Sequence, residues 1–116
     1  GMRYGYDCTN LLLDRYEGLD AIMAATDAQG MGVLRALKEN DVSVPEDICV
    51  LSMTGHRVGD MLESSLTSME LPGIEIGARA ADQLIDLIEK DEKKKTSVKE
   101  LRFEAKLVER ESTAIS

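Results

Sequence analysis

Aromatic side chains are scarce in this chain: there is no tryptophan, one phenylalanine (Phe103) and three tyrosines. The core is therefore expected to be aliphatic and rich in methionine, of which there are six. Histidine occurs once, at His56, and the two cysteines, Cys8 and Cys49, lie far apart with no Cys-x-x-Cys spacing. That donor set is too thin for a metal centre. Nothing in the pattern requires a disulfide, and Cys49, inside an expected strand, reads as a reduced core thiol. A phosphate loop is missing too, because Gly30-x-Gly32 falls within a helix and not before one. No cofactor is expected. No apolar run approaches the roughly 20 residues of a membrane span. The first apolar cluster, Leu11 to Leu13, is three residues long, too short for a signal peptide. The expectation is a soluble, cytoplasmic protein with no membrane contact.

Positive charge is also in deficit, with 14 basic against 22 acidic residues and a net charge of −8. Duplex DNA repels such a surface on average. The single basic cluster, Lys93-Lys94-Lys95, is flanked by Glu89, Asp91, Glu92 and Glu100, has no aromatic to stack a base, and reads as a solvated loop. This chain is not expected to bind nucleic acid by itself.

What is present is an ordinary globular balance, 43% hydrophobic and 31% charged over 116 residues, enough for one small domain. The organising stretch is Leu19 to Thr54. Leu19 to Ala25 is a short apolar run of the kind a parallel strand buried on both faces requires. Thr26-Asp27 supplies oxygens where a helix needs its N-cap. Met31, Leu34 and Leu37 recur at helical spacing. Asn40 suits a left-handed C-cap, Pro45 bars further helix, and Ile48 to Met53 is a second apolar run. Strand, helix and strand make one right-handed βαβ unit.

Around it, Tyr4 to Arg15 reads as a helix, His56 to Glu63 as a short helix, and Leu66 to Leu71 as a third strand ended by Pro72-Gly73. Ile74 to Ile88 is the clearest helix, with Ile74, Ala78, Ala81, Leu84, Ile85 and Ile88 on one face. Asp91 to Ser97 is a charged linker. Leu101, Phe103, Ala105 and Leu107 then alternate with Arg102, Glu104, Lys106 and Val108, the period of a half-exposed strand. The fold class is α/β, a parallel sheet with flanking helices.

In a sheet of this kind, ligands sit at the carboxyl ends of the strands, here Thr26-Asp27 and Thr54-Gly55-His56. Asp27 is explained equally well by capping the helix that follows, and a lone histidine after a strand, as His56 is, is more often a surface or helix-start residue than a ligand group. Catalysis finds no support. Asp20, Asp27, Asp47 and Asp60 have no paired acid, serine nucleophile or histidine at a motif spacing.

Several motifs carry a resemblance: AATDAQGMGVLRAL, VPEDICVLSM, SLTSMELP, Ile76-Gly77 and LVERESTA. In that order and spacing they resemble the ligand-binding domain of LacI/GalR-type bacterial transcription repressors, across most of residues 19–113. The resemblance implies the C-terminal part of a periplasmic-binding-protein-like (type I) fold. Residues 1–71 would form the C-terminal lobe. Residues 72–98 would be a helix normally belonging to the other lobe plus its charged linker, and residues 99–116 a crossover strand and tail. The helix-turn-helix and hinge that open the family's chains are expected to be absent here. With its partner lobe absent as well, the Ile74–Ile88 face is expected to repack on the remaining sheet or to pair between chains.

The resemblance also implies site residues. Thr26-Asp27 stands where the family usually has Asn-Asp, whose first residue commonly hydrogen-bonds a sugar. Thr26 keeps a hydroxyl and loses the amide fork. Thr54-Gly55-His56 stands where the family has an aromatic-Asp-Asp/Asn turn, with Met53 at the aromatic, and Thr54 lacks the bidentate carboxylate. Leu71 and Gly73 replace a glutamine and an aromatic that contact effector in many members. Met31, Leu34, Met61 and Leu62 lie on elements that form the family's dimer face. The implied function is sensing of a sugar or sugar phosphate and homodimerisation for a repressor that reaches DNA only through a domain missing from this chain. Ligand would act by closing the cleft between lobes, which changes the affinity of the DNA-binding heads. Three alternatives stay open: a sugar-binding protein of a transport system, an enzyme on a flavodoxin-like sheet, and a fragment that only self-associates.

Overall fold

The computed structural model describes residues 1–55, 61, 65–90 and 100–115, and they fall into two units: Gly1–Glu70 with Lys106–Ser116, and Leu71–Ala105. The first unit is built on strands β1 (Ala21–Ala24), β2 (Cys49–Ser52), β3 (Thr67–Glu70) and β4 (Lys106–Val108), in the order β1-β2-β3-β4. β1, β2 and β3 are parallel, with Ala24 opposite Ser52 and Ser52 opposite Ser68; β4 closes the sheet antiparallel, with Val108 opposite Ser68. The sheet is mixed, and parallel for three of its four strands.

Helix α1 spans Met2–Arg15 and α2 spans Asp27–Glu39. Thr26 caps α2 as its sequence position predicts, with extended backbone and a hydroxyl that accepts the Gln29 N–H at 3.2 Å. At the other end the reversal comes one residue later than expected. Asn40 stays near the helical region at φ −95°, and the left-handed residue is Asp41 at φ 57°. The Asn40 amide explains the shift. Its Nδ2 donates to Ala36 O at 2.7 Å and to Asn10 Oδ1 at 2.9 Å, which holds Asn40 in line. Asp41 then turns the chain, a role short polar side chains tolerate.

Val33 and Leu37 of α2 bury against Ile22, Ala24, Ile48, Val50 and Leu66, with Leu13, Leu19, Leu34, Val42 and Val44 packed around them. Each fully covered aliphatic side chain contributes about 1.5–3 kcal/mol, so this cluster holds the first unit together. None of the six methionines is buried, contrary to the expectation of a methionine-rich core. Met23 and Met61, for example, are 64% and 87% exposed. β1 is likewise covered on one face only, burying Ile22 and Ala24 while Ala21 and Met23 face outward. It is an edge strand, and α2 packs Val33 and Leu37 on the Ile22 side alone.

α1 and α2 meet backbone to backbone. A Cβ on Gly5 would lie 2.1 Å from Gln29 O, and one on Gly32 would lie 1.9 Å from Met2 O. Glycine is required at both places because the helices leave no room for a side chain. Buried Thr9 donates to Gly5 O at 2.7 Å, which satisfies its hydroxyl inside this contact.

In the second unit, α3 spans Gly73–Glu89. Its apolar periodicity is as read from the sequence, and no residue of the helix is buried: Ile74 is 93% exposed and Ile88 72%. The alternating strand expected from Leu101 is reduced to Lys106–Val108, with Leu107 exposed and Val108 half-buried. Pairing with β3 begins only at Glu70–Lys106, and residues 101–105 pair with no strand among the described residues. The expected helix 56–63 lies outside the described residues apart from Met61, as does the linker 91–97.

Candidate functional site

Parallel pairing of β1 and β2 brings their carboxyl ends side by side, and the first turn of α2 fills the angle between them. The Thr54 hydroxyl donates to Ala25 O at 2.9 Å. The Asp27 N–H donates to Thr54 O at 3.3 Å, and the Ser52 hydroxyl donates to the same carbonyl at 3.2 Å. Gln29 reaches back, its Oε1 accepting the Ala25 N–H at 3.2 Å. The Gly55 N–H donates to Met69 O at 2.9 Å, which ties the turn to β3. Gly55 also lies so close to β3 that an added Cβ would sit 1.9 Å from Ser68 Oγ and 3.4 Å from Asp27 Oδ1. No other residue fits there. Thr26, Asp27, Thr54 and Gly55 thus converge at one end of the sheet.

Around this cluster Thr26 and Thr54 are exposed, Gly55 is half-buried, and Asp27 is buried at 8% exposure. Two exposed threonines and a buried carboxylate beside a helix N-terminus make this end of the sheet polar, the kind of placed polar groups that orient a ligand. His56, the remaining member of the expected set, lies outside the described residues. Among the described residues no group of three histidine, cysteine or acidic side chains is placed to hold a metal ion.

The residues expected at a dimer face are separated by environment. Met31 is half-buried, Leu34 packs partly on the core cluster, Met61 is exposed, and Leu62 lies outside the described residues.

A polar network below the strand ends has no counterpart in the sequence reading. The Ser112 hydroxyl sits between two strands, donating to Val50 O at 2.6 Å and accepting the Thr67 N–H at 2.8 Å. The Thr67 hydroxyl pairs with Thr113 Oγ1 at 2.6 Å and exchanges bonds with the Arg110 backbone. The Arg110 side chain, 7% exposed, pairs with Glu70 at 2.8 Å. The only signal in the sequence is local: buried hydroxyls in SLTS and ERES, where an ordinary strand carries aliphatic residues.

Residues 3–113 match the periplasmic binding protein-like domain family. The chain belongs to that family. Within it, the chain is a LacI/GalR-type ligand-binding domain. It is 37% identical over 82 residues to the lactose operon repressor of Rhizobium radiobacter, covering 71% of this chain and 73% of that protein. A solved complex of the transcriptional regulator CelR with cellobiose superposes with a TM-score of 0.87 at 32% identity, over 96% of this chain and 33% of the other. A LacI family regulator from Enterococcus faecium with bound ribose superposes with a TM-score of 0.84 at 29% identity, over 98% of this chain and 41% of the other. Against several longer curated relatives, this LacI/GalR-type domain spans only 23% to 33% of their length. These relatives are transcriptional regulators. No helix among the described residues is long and apolar enough to cross a membrane.

Proposed function

We propose that this chain is the effector-sensing and dimerising part of a cytoplasmic LacI/GalR-type transcriptional repressor, taking a sugar or sugar phosphate at the carboxyl ends of β1 and β2. The observation that carries this reading is the convergence of Thr26, Asp27, Thr54 and Gly55. Thr26 and Thr54 are exposed there, and His56 follows directly in sequence. A cellobiose-bound and a ribose-bound relative of the same fold support the ligand class. The protein binds and does not turn over its ligand. Contact with DNA belongs to a helix-turn-helix domain outside these residues. Residues 1–71 belong to the C-terminal lobe, residues 72–98 to a helix of the other lobe plus its charged linker, and residues 99–116 to a crossover strand and tail. Met31, Leu34, Met61 and Leu62 belong to the face on which two copies meet.

The test is thermal melting of the 116-residue chain against cellobiose, ribose, lactose and their phosphates, with light scattering in parallel. A saturable rise in melting temperature with one sugar supports the reading, since a ligand that binds only the folded state stabilises it by mass action. No rise with any sugar sinks it. A second reading, self-association alone, is favoured by the exposed Ile74, Leu84, Ile85 and Ile88 of α3. It predicts oligomers in light scattering with no sugar response.

A further inference from the structure

Arg110 stands out because nothing in the effector site as described uses it. Its guanidinium donates from Nη1 to Leu66 O at 2.8 Å and to Ser68 Oγ at 2.9 Å, and from Nη2 to Glu70 Oε1 at 2.8 Å. Its backbone N–H donates to Thr67 Oγ1 at 2.8 Å, and its carbonyl accepts the same hydroxyl at 3.1 Å. Taking a guanidinium out of water costs several kcal/mol unless its geometry is well satisfied. An apolar residue would be the simpler way to pack this position.

The contacts of the two side-chain acceptors give Arg110 a use. Ser68 is fully buried and is the group against which Gly55 rests, close enough to exclude a Cβ there. Glu70 is the last residue of the first unit before the chain enters the second, and its register partner Lys106 is the first on the return. One planar fork therefore holds both the floor of the Thr54–Gly55 turn and the point where the chain leaves the unit. We propose that Arg110 is a positioning residue that sets the Thr54–Gly55 turn through Ser68 and couples it to the crossovers at Glu70 and Lys106. Its role in effector response rests on the reading of the strand ends as the effector site. Lysine cannot replace it, because an ammonium lacks the fixed fork that meets Leu66 O, Ser68 Oγ and Glu70 together.

The experiment is residue-resolved amide hydrogen exchange on the whole free chain, comparing wild type with Ser68→Ala and Arg110→Lys. Ser68→Ala is the milder change, since Arg110 keeps Leu66 O and Glu70. In both variants exchange at the Gly55 amide is expected to speed up about tenfold, the equivalent of one lost hydrogen bond. Amides of Val33, Ala36 and Leu37 in α2 are expected to keep their wild-type rates. Unchanged protection at Gly55 in Ser68→Ala overturns the proposal. So does uniform acceleration at Gly55 and in α2, which is the mark of a general stability role. If Arg110→Lys does not fold, Ser68→Ala alone decides. A parallel titration with cellobiose and ribose separates the two claims. A wild type silent to sugars while Gly55 loosens in Ser68→Ala defeats the effector reading and leaves the positioning role standing.

Discussion

Thr26 caps α2 through its side-chain oxygen and stands exposed at the strand end, so the contribution of its hydroxyl to stability can be read by substitution. Thr26→Ala is expected to cost about 1 kcal/mol, the usual price of a lost N-cap, and Thr26→Ser to cost little. Denaturant unfolding of both variants checks this, and equal loss in both would remove the cap from the account. At the opposite end of α2, the Glu39 carboxyl is held below its ordinary pKa first by the Tyr6 hydroxyl of α1 and then by Arg35. The Tyr6 hydroxyl is in turn held above its ordinary value, chiefly by Glu39. The signs follow from linkage. Glu39 contributes stability above the ordinary glutamate pKa of about 4.3, and loses it as pH falls through its lower folded value. Tyr6 contributes below its ordinary pKa of about 10, and loses it as pH rises through its higher folded value. Glu39 is exposed and Tyr6 only half-buried, so the effect is small. Melting curves across pH should flatten at the acid end in Glu39→Gln and at the alkaline end in Tyr6→Phe. Unchanged slopes in both would refute the pairing. None of this triad was visible in the sequence, where Tyr6 and Glu39 are 33 positions apart and share no motif.

Among the elements, α2 is the one on which both packing and the site depend. Leu37→Ala empties a fully buried position in the core cluster and is expected to cost about 2–5 kcal/mol. Gly32→Ala is expected to cost at least the roughly 1–3 kcal/mol of an overpacked core, because its Cβ would meet Met2 O and Tyr6 N. A near-neutral Gly32→Ala in chemical denaturation would mean the helices do not cross so closely. α3 makes a different prediction. An exposed face with Ile74, Leu84, Ile85 and Ile88 favours association, so the chain should self-associate with rising concentration, and Ile85→Glu with Ile88→Glu should reverse it. A monomer at all concentrations in sedimentation would contradict this.

Periodicity read α1, α2, α3 and the first three strands to within a few residues, because each is long or apolar enough for its face to show. It misread residues 101–105, where alternation of apolar and polar residues is real but no strand among the described residues pairs with them. The helix crossing at Gly5 and Gly32 left no trace either, since a missing side chain advertises nothing about what approaches it. Strand-end convergence at Thr26, Asp27, Thr54 and Gly55 was legible because the βαβ order alone places those residues together. Arg110, Ser112 and Thr67 were not, because hydroxyls that bridge strands more than forty positions apart obey no local spacing.

At the scale of the whole molecule, the chain is a portion of a LacI/GalR-type ligand-binding domain, with its polar strand ends in the first unit and its exposed apolar helix in the second. The central claim is that the ends of β1 and β2 bind a sugar. Its most direct test is a titration of the isotope-labelled chain with cellobiose, ribose and lactose, followed by amide chemical shifts. The account predicts saturable shifts with one sugar, centred on Ala25, Asp27 and Gly55 and abolished by Thr54→Val. Shifts centred on α3, or none with any of the three sugars, would contradict it.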